Sequence, residues 1–177
     1  MNLYAKLQQR AATGKPVRVA LIGAGKFGSM YLAQVPRTPG VHLAAIADLS
    51  PAAARTNLAR VGWKEGQADA KSMDEAIASG RTWLTEDWRA VVTNPQIDVV
   101  VECTGNPIAA VDHCLLAFEH GKHVVNVTVE ADAFCGPLLA HRAAQAGVVY
   151  SQAFGDQPAL ICDLVDWART CGFPVVA

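Results

Sequence analysis

The chain has little charge, few aromatic residues and no long apolar run. Only 18% of its 177 residues are charged and 7% are aromatic, with a formal net charge of −1. A polyanion-binding surface needs a basic excess, so this balance argues against nucleic acid as a partner. No apolar run approaches the ~20 residues that cross a bilayer as a helix. The opening MNLYAKLQQRAATGKP lacks the apolar centre of a secretory signal, so a soluble, cytoplasmic protein with no membrane partner is expected. The 5 cysteines, at 103, 114, 135, 162 and 171, form no CxxC pair, which argues against a disulfide framework or a thiolate metal site. His113, His120 and His123 fall on or just after one helix with no acidic or thiol partner at ligand spacing. No metal is expected there, and a solvated helix end accounts for them. Neither GxSxG nor a Ser-His-Asp arrangement occurs.

What is plentiful is apolar residues, at 51%, enough for one well-cored domain. A short amphipathic lead-in helix over 3–12 is ended by Gly14 and Pro16. VRVALI (17–22) and VHLAAIA (41–47) read as parallel strands covered on both faces, each followed by a helix. Ser50 and Pro51 open the second of these helices as N-cap and first residue. Residues 63–95 read as a peripheral excursion around a short strand at TWL. Then come the strand IDVVVECTG, a helix from Asn106 to Gly121, the strand HVVNVTV and the helix GPLLAHRAAQAG. VVYSQA, a loop at FGDQP, a helix over 158–170 and a last strand FPVVA complete the pattern. Regular alternation of strand and helix predicts an α/β doubly wound parallel sheet, a three-layer Rossmann fold.

The first strand runs into GAGKFG, in which Gly23, Gly25 and Gly28 have GxGxxG spacing. The motif alone is common; here a strand precedes it, a helix follows, and Asp48 stands 20 residues after Gly28 at the end of the second strand. Gly23 permits the tight turn, Gly25 lets backbone approach a pyrophosphate, and Gly28 lets helix pack on strand. Phe27 belongs to the same loop, and Lys26 either reaches a phosphate or is an exposed helix-start lysine. Asp48 accepts from the ribose hydroxyls of NAD and repels the extra phosphate of NADP, so NAD is favoured over NADP; its competing role is a turn residue before Ser50-Pro51. Ligands bind outside the carboxyl ends of such strands. That rule adds Cys103, Thr104, Gly105, Asn106 and Pro107 as cofactor-binding candidates, Asn106 serving also as helix N-cap and Cys103 as strand packing. Glu130, with Asp132, either faces the nicotinamide or favours a helix N-terminus. Glu130 and Asp156 are the candidate catalytic carboxylates.

VALIGAGKFGSMYLAQV, IDVVVECTGNP, HVVNVTVEADAFCGPLL and GVVYSQAFGDQP together resemble the N-terminal NAD(P)-binding domain of homoserine-dehydrogenase-like oxidoreductases. More narrowly they resemble the branch with a C-terminal SAF-type domain, which includes the deoxyxylulose-phosphate-reductoisomerase-like enzymes. The resemblance implies an NAD(P)-dependent oxidoreductase acting on a small hydroxy-acid or sugar-derived alcohol or carbonyl compound. Gly23, Gly25 and Gly28 would hold the pyrophosphate, with the CTGNP and VEAD loops bordering the nicotinamide. Homoserine dehydrogenases proper carry Asn-Lys where this chain has Val129-Glu130, which counts against homoserine itself as substrate. Residues 1–15 are expected to be the lead-in and 16–177 the Rossmann domain, with the catalytic groups mostly beyond residue 177. The alternatives are a stand-alone NAD-binding sensory or partner-binding module, and an assembly domain without ligand. A homo-oligomer is compatible with each.

Overall fold

The computed structural model describes residues 2–154 and 157–176, with the side chains of 157 and 158 left aside. Six strands form one sheet in the order β3-β2-β1-β4-β5-β6. They are β1 (Val17–Ile22), β2 (Val41–Ala47), β3 (Trp83–Thr85), β4 (Val99–Glu102), β5 (His123–Asn126) and β6 (Tyr150–Gln152). Every pairing is parallel. Chain order reverses between β1 and β4, and that is the switch point where such sheets bind ligands. Ile22 lies opposite both Ala47 and Glu102, Ala47 opposite Thr85, Glu102 opposite Asn126, and Asn126 opposite Gln152. The six strands therefore end on one line, and every loop leaving that line shares one edge.

The helices are α1 (Leu3–Ala12), α2 (Lys26–Gln34), α3 (Pro51–Arg60), α4 (Met73–Ser79), α5 (Trp88–Val92), α6 (Pro107–Glu119), α7 (Val129–Ala146) and α8 (Gln157–Thr170). Ser50 caps α3 and Asn106 caps α6, each with its side-chain oxygen, and a proline fills the first turn of both. Alternate residues of the strands feed two cores. Val19, Leu21, Leu43 and Ile46 join Leu32 of α2 and Leu58 of α3 on one face. Ala20, Ile22, Val100 and Val124 join Cys114 and Phe118 of α6 and Leu139 of α7 on the other. Burial on both faces is why these strands read as continuous apolar runs.

Three expectations change. HVVNVTV pairs only through Asn126, and α7 begins at Val129, so the VEAD segment is helix and not loop. The helix expected from Gly136 is the second part of α7: Cys135 leaves helical geometry at φ −148°, ψ 26°, just before Pro137, whose ring disfavours an uninterrupted helix. FPVVA is no strand over its described residues 173–176. Gly172 turns the chain at φ +80°, and Phe173 packs on Trp167 of α8 at 6.3 Å, so the β-branched residues find no neighbouring strand to pair with.

Candidate functional site

The β1–α2 turn is shaped by its glycines for different reasons. Gly23 has φ +90°, and a Cβ there would stand 2.8 Å from the Cys103 carbonyl oxygen. At Gly28 a Cβ would fall 2.4 Å from the carbonyl oxygen of Gly23, so helix and turn touch without a side chain between them. Gly25 differs: its φ is an ordinary −74° and a Cβ would meet nothing within 4 Å. Neither conformation nor internal packing calls for glycine there. The bare backbone faces open space at the exposed start of α2, where no side chain caps the helix and its first amides are free for an anion. Lys26 and Phe27 are both exposed on that first turn.

Asp48 follows β2 and is bound by both oxygens. Oδ2 accepts from the Ala24 amide at 2.8 Å, and Oδ1 accepts from the Ser50 amide at 2.8 Å. The two roles expected of it thus coexist in one geometry: it is the turn residue before Ser50 and also the clamp on the glycine loop. A carboxylate has about four lone-pair sites, so two bonds leave acceptor capacity for hydroxyls. Asn57 of α3 donates to the Ala24 carbonyl at 2.8 Å and Ser29 to that of Gly25 at 2.7 Å, which completes the support of the loop.

Across the switch point the β4–α6 loop is built on charge. Glu102, the last residue of β4, is 0% exposed. It accepts from the Thr104 amide at 3.2 Å, the Thr104 hydroxyl at 2.5 Å, His113 Nδ1 at 3.2 Å and the Thr128 hydroxyl. His113 is itself buried on α6 with its ring 4.3 Å from that of Trp88, which corrects the expectation of a solvated helix end. Cys103 sends its side chain into the core shared with α2 and leaves only backbone at the loop. Burial first, and the Glu102 charge second, push its thiol up to about 12, which fits strand packing and not a reactive thiol. Thr104 is half-buried, Gly105 and Asn106 are exposed, and Pro107 begins α6.

Beyond β5 a second polar chain lines the same edge. Asn126 Nδ2 donates to the Tyr150 hydroxyl at 3.0 Å, and Tyr150 donates to Asp132 Oδ1 at 3.0 Å. Gln152 Nε2 donates to Asp132 Oδ2 at 2.5 Å. Burial pushes the Tyr150 phenol upward, so it remains a hydroxyl donor at neutral pH. Glu130 is exposed in the first turn of α7, a favourable place for negative charge. Asp156 and the adjoining Gly155 lie outside the described residues. Among the described residues no group of His, Cys, Asp or Glu is arranged to hold a metal ion.

A family model for the NAD-binding domain of homoserine dehydrogenase matches residues 23–151. The chain belongs to that family. Homoserine dehydrogenase from Pseudomonas aeruginosa strain PAO1 is 30% identical over 135 residues, 76% of this chain and 28% of that protein. Among solved structures, a homoserine dehydrogenase from Thiobacillus denitrificans superposes with a TM-score of 0.57 at 25% identity over 78% of this chain and 29% of its own. An NAD-binding oxidoreductase from Klebsiella pneumoniae superposes at 0.59 with 23% identity over 89% of this chain and 39% of that chain, a likeness of fold. The chain thus spans less than a third of the length of the homoserine dehydrogenases it matches.

At this edge a bare backbone and a carboxylate with spare acceptor sites stand side by side. Gly25 leaves open the space a Cβ would fill, α2 starts there without a side-chain cap, and Asp48 has only two of its acceptor sites taken. The residues read from the motif, Gly23, Gly25, Gly28 and Asp48, meet at one place. Gly105 and Asn106 lie across the switch point from them. Glu102, His113, Thr128 and Tyr150 escaped the motif reading. The trace of Glu102 is visible, since one carboxylate in the run IDVVVECTG contradicts a strand buried on both faces unless donors meet it.

Proposed function

We propose that this chain binds NAD across the carboxyl edge of its sheet for hydride transfer to or from a small hydroxy-acid or sugar-derived alcohol or carbonyl compound. Gly25 carries the reading: a glycine that neither backbone conformation nor packing requires is explained by a ligand that occupies its open side. The amides of the first turn of α2 would take the pyrophosphate, and Asp48 the adenosine ribose. Bound NAD supplies the hydride chemistry, and the protein's part is orientation. The row of Thr104, Asn126, Tyr150, Asp132 and Gln152 would flank the nicotinamide end, with Glu130 nearby on α7. Preference for NAD over NADP rests on Asp48, whose charge repels a 2′-phosphate. The motifs VEAD before Gly136-Pro137 and YSQAFGDQP favour the SAF-type branch, with residues 1–15 as lead-in and 16–177 as cofactor domain. Val129-Glu130, where homoserine dehydrogenases proper carry Asn-Lys, favours another small hydroxy compound over homoserine. A cytoplasmic setting suits such a role, and among the described residues no helix is long and apolar enough to cross a membrane. A homo-oligomer is supported by an apolar cleft of about 620 Å³ over β1, β4 and β5, lined by Val19, Val101, Val125 and Phe27.

Calorimetric titration with NAD and with NADP tests this directly. Saturable NAD binding, weaker with NADP, is expected; no binding of either would end the cofactor reading and favour the assembly-domain alternative.

A further inference from the structure

Glu102 and Lys122 are the charged side chains that bury almost completely among the described residues. Lys122 has a plain structural task at the far end of β4, donating to the Ile97 carbonyl at 2.8 Å. Glu102 stands instead at the binding edge, and its four donors do more than neutralise it. The Thr104 hydroxyl that donates to Glu102 accepts from the Asn106 amide at 3.3 Å. The Thr128 hydroxyl that donates to Glu102 accepts from the Gly105 amide at 3.0 Å. The Thr104 amide goes to Glu102 itself. All three consecutive amides of residues 104–106 therefore turn inward, toward one buried carboxylate. The carbonyl oxygens of Thr104 and Gly105 accept no hydrogen bond among the described residues.

We propose that Glu102 is a positioning residue that, through Thr104 and Thr128, holds the 104–106 loop with its amides inward and its carbonyls outward, selecting the donor-bearing nicotinamide riboside half of the dinucleotide. The proposal rests on the cofactor reading above and deepens it. A loop whose amides are spent and whose charge is negative repels phosphate, whereas a carboxamide NH2 or ribose hydroxyls find acceptors there. The glycine loop across the switch point is the converse: α2 starts there with no side-chain cap, which suits phosphate, whereas at the start of α6 the Asn106 side chain takes the Ile108 and Ala109 amides. Glu102 would thus set the direction in which a dinucleotide lies, although it touches no ligand.

The two halves are separable with two probes on the full chain. ADP carries only the adenosine and phosphates and reports the glycine loop; NAD reports both loops. Thr128→Val removes one hydroxyl bridge with little change in shape, and Thr128→Ser keeps it; Glu102→Gln keeps shape and loses the charge. We expect Thr128→Val and Glu102→Gln to weaken NAD by about tenfold and leave ADP within about twofold, the size of one lost charge-assisted bond. Thr128→Ser is expected to restore NAD affinity. A merely structural role moves ADP and NAD together. Unchanged NAD affinity in Thr128→Val, equal losses for both probes, or no restoration by Thr128→Ser would overturn the proposal. If the unaltered chain binds ADP and NAD equally well, the proposal fails and the glycine-loop site stands. If it binds neither, the cofactor reading itself fails.

Discussion

The two loops that flank the switch point are held in opposite ways. The β1–α2 turn is fixed by the absence of atoms: Gly23 and Gly28 let backbone touch backbone, and the half-buried Asp48 ties the turn through the Ala24 amide. The β4–α6 loop is fixed by the presence of a charge: Glu102 lies fully enclosed and is met by two threonines and a histidine. Close backbone contact holds the first loop and leaves the start of α2 without a side-chain cap; in the second loop the three amides of residues 104–106 go to Glu102 directly or to the threonine hydroxyls bound to it. On the proposed reading, one edge would present opposite polarity to the two ends of one ligand.

Substitution can break this contrast at each side, starting with the largest effect. Gly28→Val places a Cβ against the Gly23 carbonyl and is expected to cost about 3 kcal/mol or more, read as a fall in thermal or denaturant stability. At Gly25 an added Cβ meets no atom within 4 Å, so the same change should cost only about 1 kcal/mol, for a poorer N-cap residue. Glu102→Leu leaves four donors without their acceptor, two of them on buried His113 and Thr128, and is expected to cost about 3 kcal/mol in denaturant unfolding. Partial rescue on adding Thr128→Val, which removes one of the four donors, would show that the donors, and not lost volume, set the cost.

Asp48→Ala should reduce NAD affinity by about tenfold and NADP affinity by less, because the lost carboxylate favours only the unphosphorylated ribose. Equal losses would assign Asp48 to holding Ala24 and Ser50 alone.

The smallest effect is on pH dependence, where the two loops share Cys103. Its folded thiol is raised from 9.0 to about 12 and the phenol of Tyr31 from 10.0 to about 12, both by burial first. Raised folded values mean that the unfolded chain releases these protons first. Their stabilisation is complete below pH 9 and is lost as pH rises toward about 12. The melting temperature should fall across that window, and Cys103→Ala should flatten the first part of the decline.

Much of the fold was legible because burial on both faces writes strands as apolar runs such as VRVALI and IDVVV, and because Ser50-Pro51 and Asn106-Pro107 mark helix starts by chemistry. The glycine loop and Asp48 were legible because their spacing is local. His113 was not: a histidine on an amphipathic helix reads as solvated until its partner, 11 residues upstream on a strand, is placed beside it. The helical start of α7 was hidden by VTVEAD, whose β-branched residues continue the strand pattern past the point where pairing stops. FPVVA has the composition of a strand and no neighbour, and strand formation depends on the neighbour.

If a dinucleotide's phosphates lie on the open side of Gly25, binding depends on that side staying bare. Titrating NAD into the unaltered chain and into Gly25→Val, with melting temperatures recorded for both, tests it most directly. Saturable binding is expected in the unaltered chain, falling by about 100-fold or more in the variant while the melting temperature stays nearly constant. Undiminished NAD binding by a folded Gly25→Val chain would contradict it.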